Sequence, residues 1–344
     1  MIAAVLYKQK SPLIIEKLFH SKLDYGQVLV KIFSSGVCGR QIQEIYGHKG
    51  KDKFLPHTLG HEGGGKVLKI GPGVSKCKPG DRVVLHWRPS KGIQSVFPYY
   101  LNKKKKRIGS GLISTFSSES VVSENRLTVI KEKINYDTLA LLGCSLTTAL
   151  GIVNKEANIQ IGQSILISGA GSVGLSLVQA CQLVSANPVI VSDIKQKKLN
   201  FAKKLKADFT INCSKKDIVD EVMKINGSKG IDYIFETSGN VDVIKNCYDL
   251  LAPNGRLVLV GQPSHNEKIT LHNLQNNFQG KMIFDSQGGL TDPDHDIFRY
   301  INLIKNKKLF PEKIVTNNIQ INNLNKYIKM IHRGEILGKT IINF

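Results

Sequence analysis

Ser164-Ile165-Leu166-Ile167-Ser168-Gly169-Ala170-Gly171-Ser172-Val173-Gly174 is an apolar run of strand length that ends in glycines spaced G-x-G-x-x-G. A helical pattern from Leu175 to Ser185 follows at once, and the next apolar run, Pro188 to Asp193, ends on a carboxylate. Glycine spacing alone is a weak signal. A strand before it, a helix after it and an acid closing the next strand make it a dinucleotide-binding βαβ unit. Gly169 permits the tight turn, Gly171 lets backbone approach a pyrophosphate, and Gly174 allows close helix–strand packing. The helix start turns unsatisfied N–H groups and a positive dipole end toward phosphate. Asp193 would accept hydrogen bonds from ribose hydroxyls and repel a 2′-phosphate, so NAD is expected over NADP. Lys195, Lys197 and Lys198 soften that preference.

Toward the C-terminus, Phe209–Ile211, Tyr233–Glu236 and Arg256–Val260 read as further strands with helices between them. That alternation predicts a doubly wound parallel sheet. The tail reads as helix (296–305), helix (324–333) and a closing strand (339–342). Toward the N-terminus the texture changes to short strands and turns, as in Val28–Ile32, Lys66–Ile70 and Pro79–Leu85. This half is β-rich. Residues 88–111 read as irregular, with a basic run at Lys103–Arg107 on a solvated loop. From Tyr136 a helical period sets in through Leu139, Ala140, Leu142, Gly143, Leu146 and Ala149.

Two glycine-rich blocks in the β-rich half carry metal-ligating side chains: Gly36-Val37-Cys38-Gly39 and Leu59-Gly60-His61-Glu62-Gly63-Gly64-Gly65. Thiolate and imidazole donors suit zinc best. The bulk numbers agree with an ordinary globular protein of about two domains. The chain has 344 residues, 41% of them hydrophobic, and its six cysteines are scattered rather than framed for disulfides. No apolar run reaches the roughly 20 residues of a membrane span. Met1–Leu6 lacks the form of a signal peptide and reads as a first strand, so the cytoplasm is expected, with no membrane partner. The net charge of +21 raises a nucleic-acid partner as a possibility. The lysines are dispersed, however, and read as solvated faces, so no nucleic acid is expected.

With these blocks in hand the chain resembles the zinc-dependent medium-chain dehydrogenase/reductase (alcohol dehydrogenase) family. Gly60-His61-Glu62, Gly65, Gly71 and Val74 match its zinc signature. Gly80-Asp81-Arg82-Val83 and Leu142-Gly143-Cys144-Ser145-Leu146-Thr147-Thr148-Ala149 match further blocks in the expected order. The resemblance implies an α/β chain: a GroES-like β-rich catalytic domain over residues 1–145, completed by 289–344, and a Rossmann NAD-binding domain over 146–288. It implies a catalytic zinc on Cys38, His61 and Cys144, with Glu62 as an outer-shell or transient ligand. Thr148, Val173 and Val260 would lie near the nicotinamide, Lys198 near the adenosine ribose, Lys339 toward the pyrophosphate and Trp87 in the substrate pocket. The reaction implied is hydride transfer between an alcohol and NAD, with an aldehyde or ketone as the oxidised partner. A homo-oligomer, dimer or tetramer, is implied too.

The departures from the family pattern are local. No cysteine occurs in residues 88–118, so the second, structural zinc of many members is not expected. Where the family has Ser or Thr to start a proton relay, this chain has Arg40, which does not exchange protons at ordinary pH. Gln41 stands for the usual Asp behind the zinc histidine, and Gln43 for the relay histidine. Arg40 could bind an anionic substrate group or form an i,i+4 ion pair with Glu44. An anionic or sugar-derived alcohol is therefore one expectation. The alternatives are a zinc-assisted reductase or lyase that recycles its NAD internally, and a basic nucleic-acid-binding module.

Overall fold

The computed structural model describes residues 1–271 and 279–344. The chain divides into two compact units: Met1–Thr147 with Thr291–Leu303 and Val315–Phe344, and Thr148–Leu290 with Ile304–Ile314. The short segment Ile304–Ile314 therefore goes with the second unit, inside a tail that the sequence reading assigns wholly to the first.

The first unit combines a closed barrel of five short strands with a seven-stranded sheet. The organising element is the strand Gln27–Val37. It pairs antiparallel with Glu62–Ile70, Glu119–Ser123 and Lys339–Asn343. Most of its residues are buried, because neighbours cover its edges and packing covers its faces. Val28, Val30 and Ile32 form a core with Val67, Val83, Leu85 and Leu127, and Trp87 packs against its margin. Each such aliphatic side chain contributes roughly 1.5–3 kcal/mol by leaving water.

This pairing sets the site. Thr340 lies opposite Val37, so the closing strand delivers Lys339 beside Cys38. Ser35 lies opposite Gly63, which delivers Glu62 to the same end of the sheet. Residues more than 270 positions apart are thus brought together by register alone.

Two readings of the sequence need correction. Residues 88–111 are not wholly irregular: Tyr99–Asn102 and Arg107–Gly109 pair as a hairpin within the barrel. The turn Lys103–Lys106 at its tip is exposed, and Asn102 Oδ1 accepts the amides of Lys104 and Lys106. The aromatic pair Tyr99-Tyr100 was the strand signal. Second, the helical period from Tyr136 is broken. One helix ends at Leu141 and the next begins at Ser145, with Cys144 in the break. Gly143 causes this by lying against the neighbouring sheet, where an added Cβ would fall 2.3 Å from Leu85 O.

Glu124 ties two loops of the first unit together. Its carboxylate accepts the amides of Ser75 (2.6 Å), Lys76 (2.6 Å) and Ile93 (2.8 Å). Burial works to raise this carboxyl, but the three amides outweigh it and hold it below the usual carboxylate range. A depressed folded-state pKa gives stability that is present at neutral pH and lost as pH falls through the folded value. Glu124→Gln should cost about 2–4 kcal/mol at neutral pH, because an amide N–H₂ would face backbone donors. Urea unfolding at pH 7 and at acidic pH checks this, and the gap between native and variant should shrink on acidification.

The second unit is a six-stranded sheet in the order Phe209–Asn212, Val189–Asp193, Ile165–Ser168, Ile231–Glu236, Leu251–Leu259, Met282–Asp285. Every neighbouring pair is parallel. The strand order reverses between Ile165–Ser168 and Ile231–Glu236, and ligands bind at the carboxyl ends of strands at such a reversal.

Candidate metal and dinucleotide sites

Cys38 caps the short helix Gly39–Ile45 at the end of the strand Gln27–Val37. His61 precedes the strand Glu62–Ile70, and Cys144 comes from the helix break. Ligand atoms of Cys38, His61, Glu62 and Cys144 all lie within 4.8 Å of one another. His61 Nε2 is buried with no hydrogen-bond partner among the described residues. A buried imidazole nitrogen without a partner is costly unless something else binds it. Two sulfurs and a neutral imidazole around that nitrogen fit a zinc ion, with a fourth position left for a substrate.

The sulfurs are close enough to share a proton. A hydrogen bond from Cys144 holds the Cys38 thiol well below its usual range despite burial, with His61 and Lys339 adding to the effect. The same bond, with burial, pushes Cys144 well above. A cation among these groups would favour both thiolates.

The surrounding side chains fix the donors. Gln41 is buried; its Oε1 accepts the Cys38 amide at 3.1 Å and its other end meets His61 Nδ1. The carboxamide nitrogen can only donate to Nδ1, whereas a metal on Nε2 requires Nδ1–H, so Gln41 has to turn its oxygen to His61 when a metal binds, and it does so without the charge of the family's aspartate. Glu62 is fully buried. Its Oε1 pairs with Lys339 Nζ, and its Oε2 accepts the amide (3.3 Å) and hydroxyl (3.4 Å) of Ser145. Gly36 leaves the room for this carboxylate, since a Cβ there would lie 2.6 Å from Glu62 Cδ. So placed, Glu62 stands behind the donors.

Lys339 therefore needs reassignment. The family resemblance sends it toward a pyrophosphate, but its side chain is fully buried and its ammonium is committed to Glu62. Ser145 escaped the sequence reading. Its one signal was a small hydroxyl residue directly after a metal-binding cysteine. Arg40 is exposed on the first turn of the Gly39–Ile45 helix. The expected pair with Glu44 does not form, because Glu44 takes Lys49 at 3.4 Å. In a second grouping, Glu44, Asp52 and His57, each member already has a partner: Glu44 holds Lys49, His57 Nε2 lies 2.7 Å from Asp52 Oδ2, and His57 Nδ1 donates to Thr58 O. Trp87 packs on the core described above, with the Arg88 guanidinium 5.5 Å from its ring.

In the second unit the glycine turn follows Ser168. Gly169 has φ +102, and a Cβ on Gly174 would fall 2.0 Å from Gly169 O, so neither position accepts a side chain. Gly171 has open space where a Cβ would be, and the helix Ser172–Leu183 begins there without a side-chain cap. Val173 and Gly174 occupy the first turn. Bare amides at a helix start are a cradle for phosphate. Asp193 Oδ2 accepts the Ala170 amide at 2.9 Å and Oδ1 the Lys195 amide at 2.8 Å, which locks the acid to the turn. Lys198 is half-buried in the helix Gln196–Lys204, Thr148 is buried, and Val260 donates its amide to Glu236 O. These groups could hold a dinucleotide.

Comparison with known proteins gives the same class. Residues 24–132 match the alcohol dehydrogenase GroES-like domain and residues 172–306 the zinc-binding dehydrogenase domain. Two S-(hydroxymethyl)glutathione dehydrogenases, from Candida maltosa and Escherichia coli O139:H28, are each 28% identical. The alignments cover 98% of this chain and 96% of the first protein, and 99% of both chains for the second. Among solved structures, an alcohol dehydrogenase zinc-binding domain protein from Burkholderia ambifaria superposes with a TM-score of 0.90 at 24% identity, over 100% of this chain and 98% of that one. Benzyl alcohol dehydrogenase from Acinetobacter calcoaceticus gives 0.88 at 24% identity, over 100% and 99%. The chain belongs to the zinc-dependent medium-chain alcohol dehydrogenase family, and it is an oxidoreductase of alcohols. Neither a redox-neutral lyase nor a nucleic-acid-binding module is favoured by these relatives. No helix among the described residues is long and apolar enough to cross a membrane.

Proposed function

We propose that this chain oxidises a small alcohol to an aldehyde or ketone, or the reverse, with one catalytic zinc and NAD. The observation that carries the reading is the meeting of Cys38, His61 and Cys144 around a buried, partnerless His61 Nε2. Zinc bound by these three residues supplies Lewis acidity, stabilising negative charge on the substrate oxygen. Gln41 orients His61. Lys339 and Ser145 keep Glu62 behind the donor set, where its charge is compensated. Gly169, Gly171 and the amides of Ser172 and Val173 cradle the pyrophosphate, and Asp193 holds the adenosine ribose, with Lys198 beside it. Thr148 and Val260 are assigned to the nicotinamide end. Arg40 and Gln43 do not accept the substrate proton, so its route is through His48, Glu44 or water.

In domain terms, the unit of residues 1–147, 291–303 and 315–344 is the catalytic domain, and that of 148–290 and 304–314 the NAD-binding domain. A cytoplasmic homo-oligomer without a structural zinc is part of the same reading. The curated relatives are S-(hydroxymethyl)glutathione dehydrogenases, which supports a hydroxymethyl or primary alcohol as the reacting group. The test is NADH formation across a panel of alcohols by the zinc-loaded protein. Turnover with NAD is expected, and its absence for every alcohol and carbonyl tried would refute the reading. Asp193→Asn should raise the KM for NAD about tenfold to a hundredfold, the loss of hydrogen bonds to a charged acceptor. It should also narrow the preference over NADP, read from paired coenzyme kinetics.

A further inference from the structure

Charge around the candidate metal centre does not cancel, and the excess sits on Arg40. Two thiolates balance a zinc ion, and the imidazole is neutral. Lys339 balances Glu62, and Lys49 balances Glu44. Arg40 lies two residues beyond Cys38, on the first turn of the helix that Cys38 caps. Among the described residues its guanidinium has neither a hydrogen bond nor an ion pair. Its natural partner at i+4, Glu44, is taken by Lys49. Glu44, Cys38 and Lys49 are all within electrostatic range of it. The fork is therefore positive, exposed, next to a candidate ligand of the metal, and held by no hydrogen bond or ion pair among the described residues, its nearest acid being engaged by Lys49.

We propose that Arg40 determines specificity by binding an anionic group, carboxylate or phosphate, carried by the alcohol substrate. This rests on the dehydrogenase reading above. A planar guanidinium presents paired donors that match both anions. In place of the hydroxyl that starts a proton relay elsewhere in the family, this chain holds a group that cannot exchange protons but can anchor charge. The substrate is then an alcohol whose anionic group reaches Arg40 while its hydroxyl reaches the metal. The other anion that could meet Arg40 is the coenzyme pyrophosphate, and the experiment separates the two.

Zinc-loaded, full-length protein is assayed with NAD on matched alcohols: 1-propanol against 3-hydroxypropanoate, and 1,3-propanediol against 3-hydroxypropyl phosphate. The charged member should be preferred about 10- to 100-fold in kcat/KM, the range for a hydrogen-bonded charged contact. The pair that shows the larger ratio identifies the anion. Arg40→Gln should bring the ratio to within about threefold, and Arg40→Lys should retain part of it, as a point charge without the fork. A binding readout runs alongside: 3-hydroxypropanoate or inorganic phosphate should raise the Tm of the native protein and not that of Arg40→Gln. If neutral alcohols turn over as well as charged ones and neither anion shifts Tm, the anion site is overturned and the dehydrogenase reading stands. If anions stabilise through Arg40 but no alcohol turns over, the dehydrogenase reading falls and the anion site stands. A rise in the KM for NAD with an unchanged charged-to-neutral ratio would assign Arg40 to the coenzyme and overturn the proposal.

Discussion

Cys144→Ser should abolish alcohol oxidation, by about a thousandfold or more in kcat/KM, while the protein remains folded. The serine hydroxyl is close in shape to the thiol but is not ionised near neutral pH, so one of the two anionic donors disappears. A thousandfold loss corresponds to about 4 kcal/mol of transition-state stabilisation, a modest share of what a structural or catalytic zinc site contributes on binding. The fold should survive because the break at Leu142–Cys144 is set by Gly143 against Leu85 and Glu62, not by the sulfur. Circular dichroism, metal content and kinetics on one preparation check the three parts. A variant that keeps its activity would remove Cys144 from the metal site.

Lys339→Met should be the most destabilising single change at the site, by about 3–5 kcal/mol, because it leaves the Glu62 carboxylate buried and unpaired. Removing both charges should cost much less: Lys339→Met with Glu62→Gln should recover most of the loss. The difference between the double variant and the sum of the singles measures the coupling. Chemical denaturation of the four proteins gives the cycle. The same set decides what the lysine is for. If Lys339 served the pyrophosphate, its loss would raise the KM for NAD and leave stability alone. A buried partner of Glu62 predicts the opposite order of effects.

The sequence disclosed different parts of this molecule to different degrees, for physical reasons. The βαβ unit was legible because its signals are local: a buried strand, a turn that tolerates only glycine, and an acid 19 residues past Gly174. Cys38 and His61 were legible as donors because their glycine-rich surroundings are themselves local patterns. The partner of Lys339 was not, since it depends on the register of Thr340 against Val37, which no local pattern encodes. The position of Cys144 in a helix break was hidden by an apolar period that runs straight across it. The hairpin at Tyr99–Gly109 was masked by the lysines at its tip, whose charge outweighs two short strands in any reading by composition. Arg40 was visible as a departure, but only the Lys49–Glu44 pair shows that its nearest acid is engaged elsewhere.

The most direct test of the account is metal analysis of the purified native protein by mass spectrometry, before and after dialysis against a chelator. The account predicts about one zinc per chain. Its removal should abolish alcohol oxidation, and activity should return when zinc alone is restored. Two zinc ions per chain would contradict the single-site reading, and fully active protein with no bound metal would contradict the account itself.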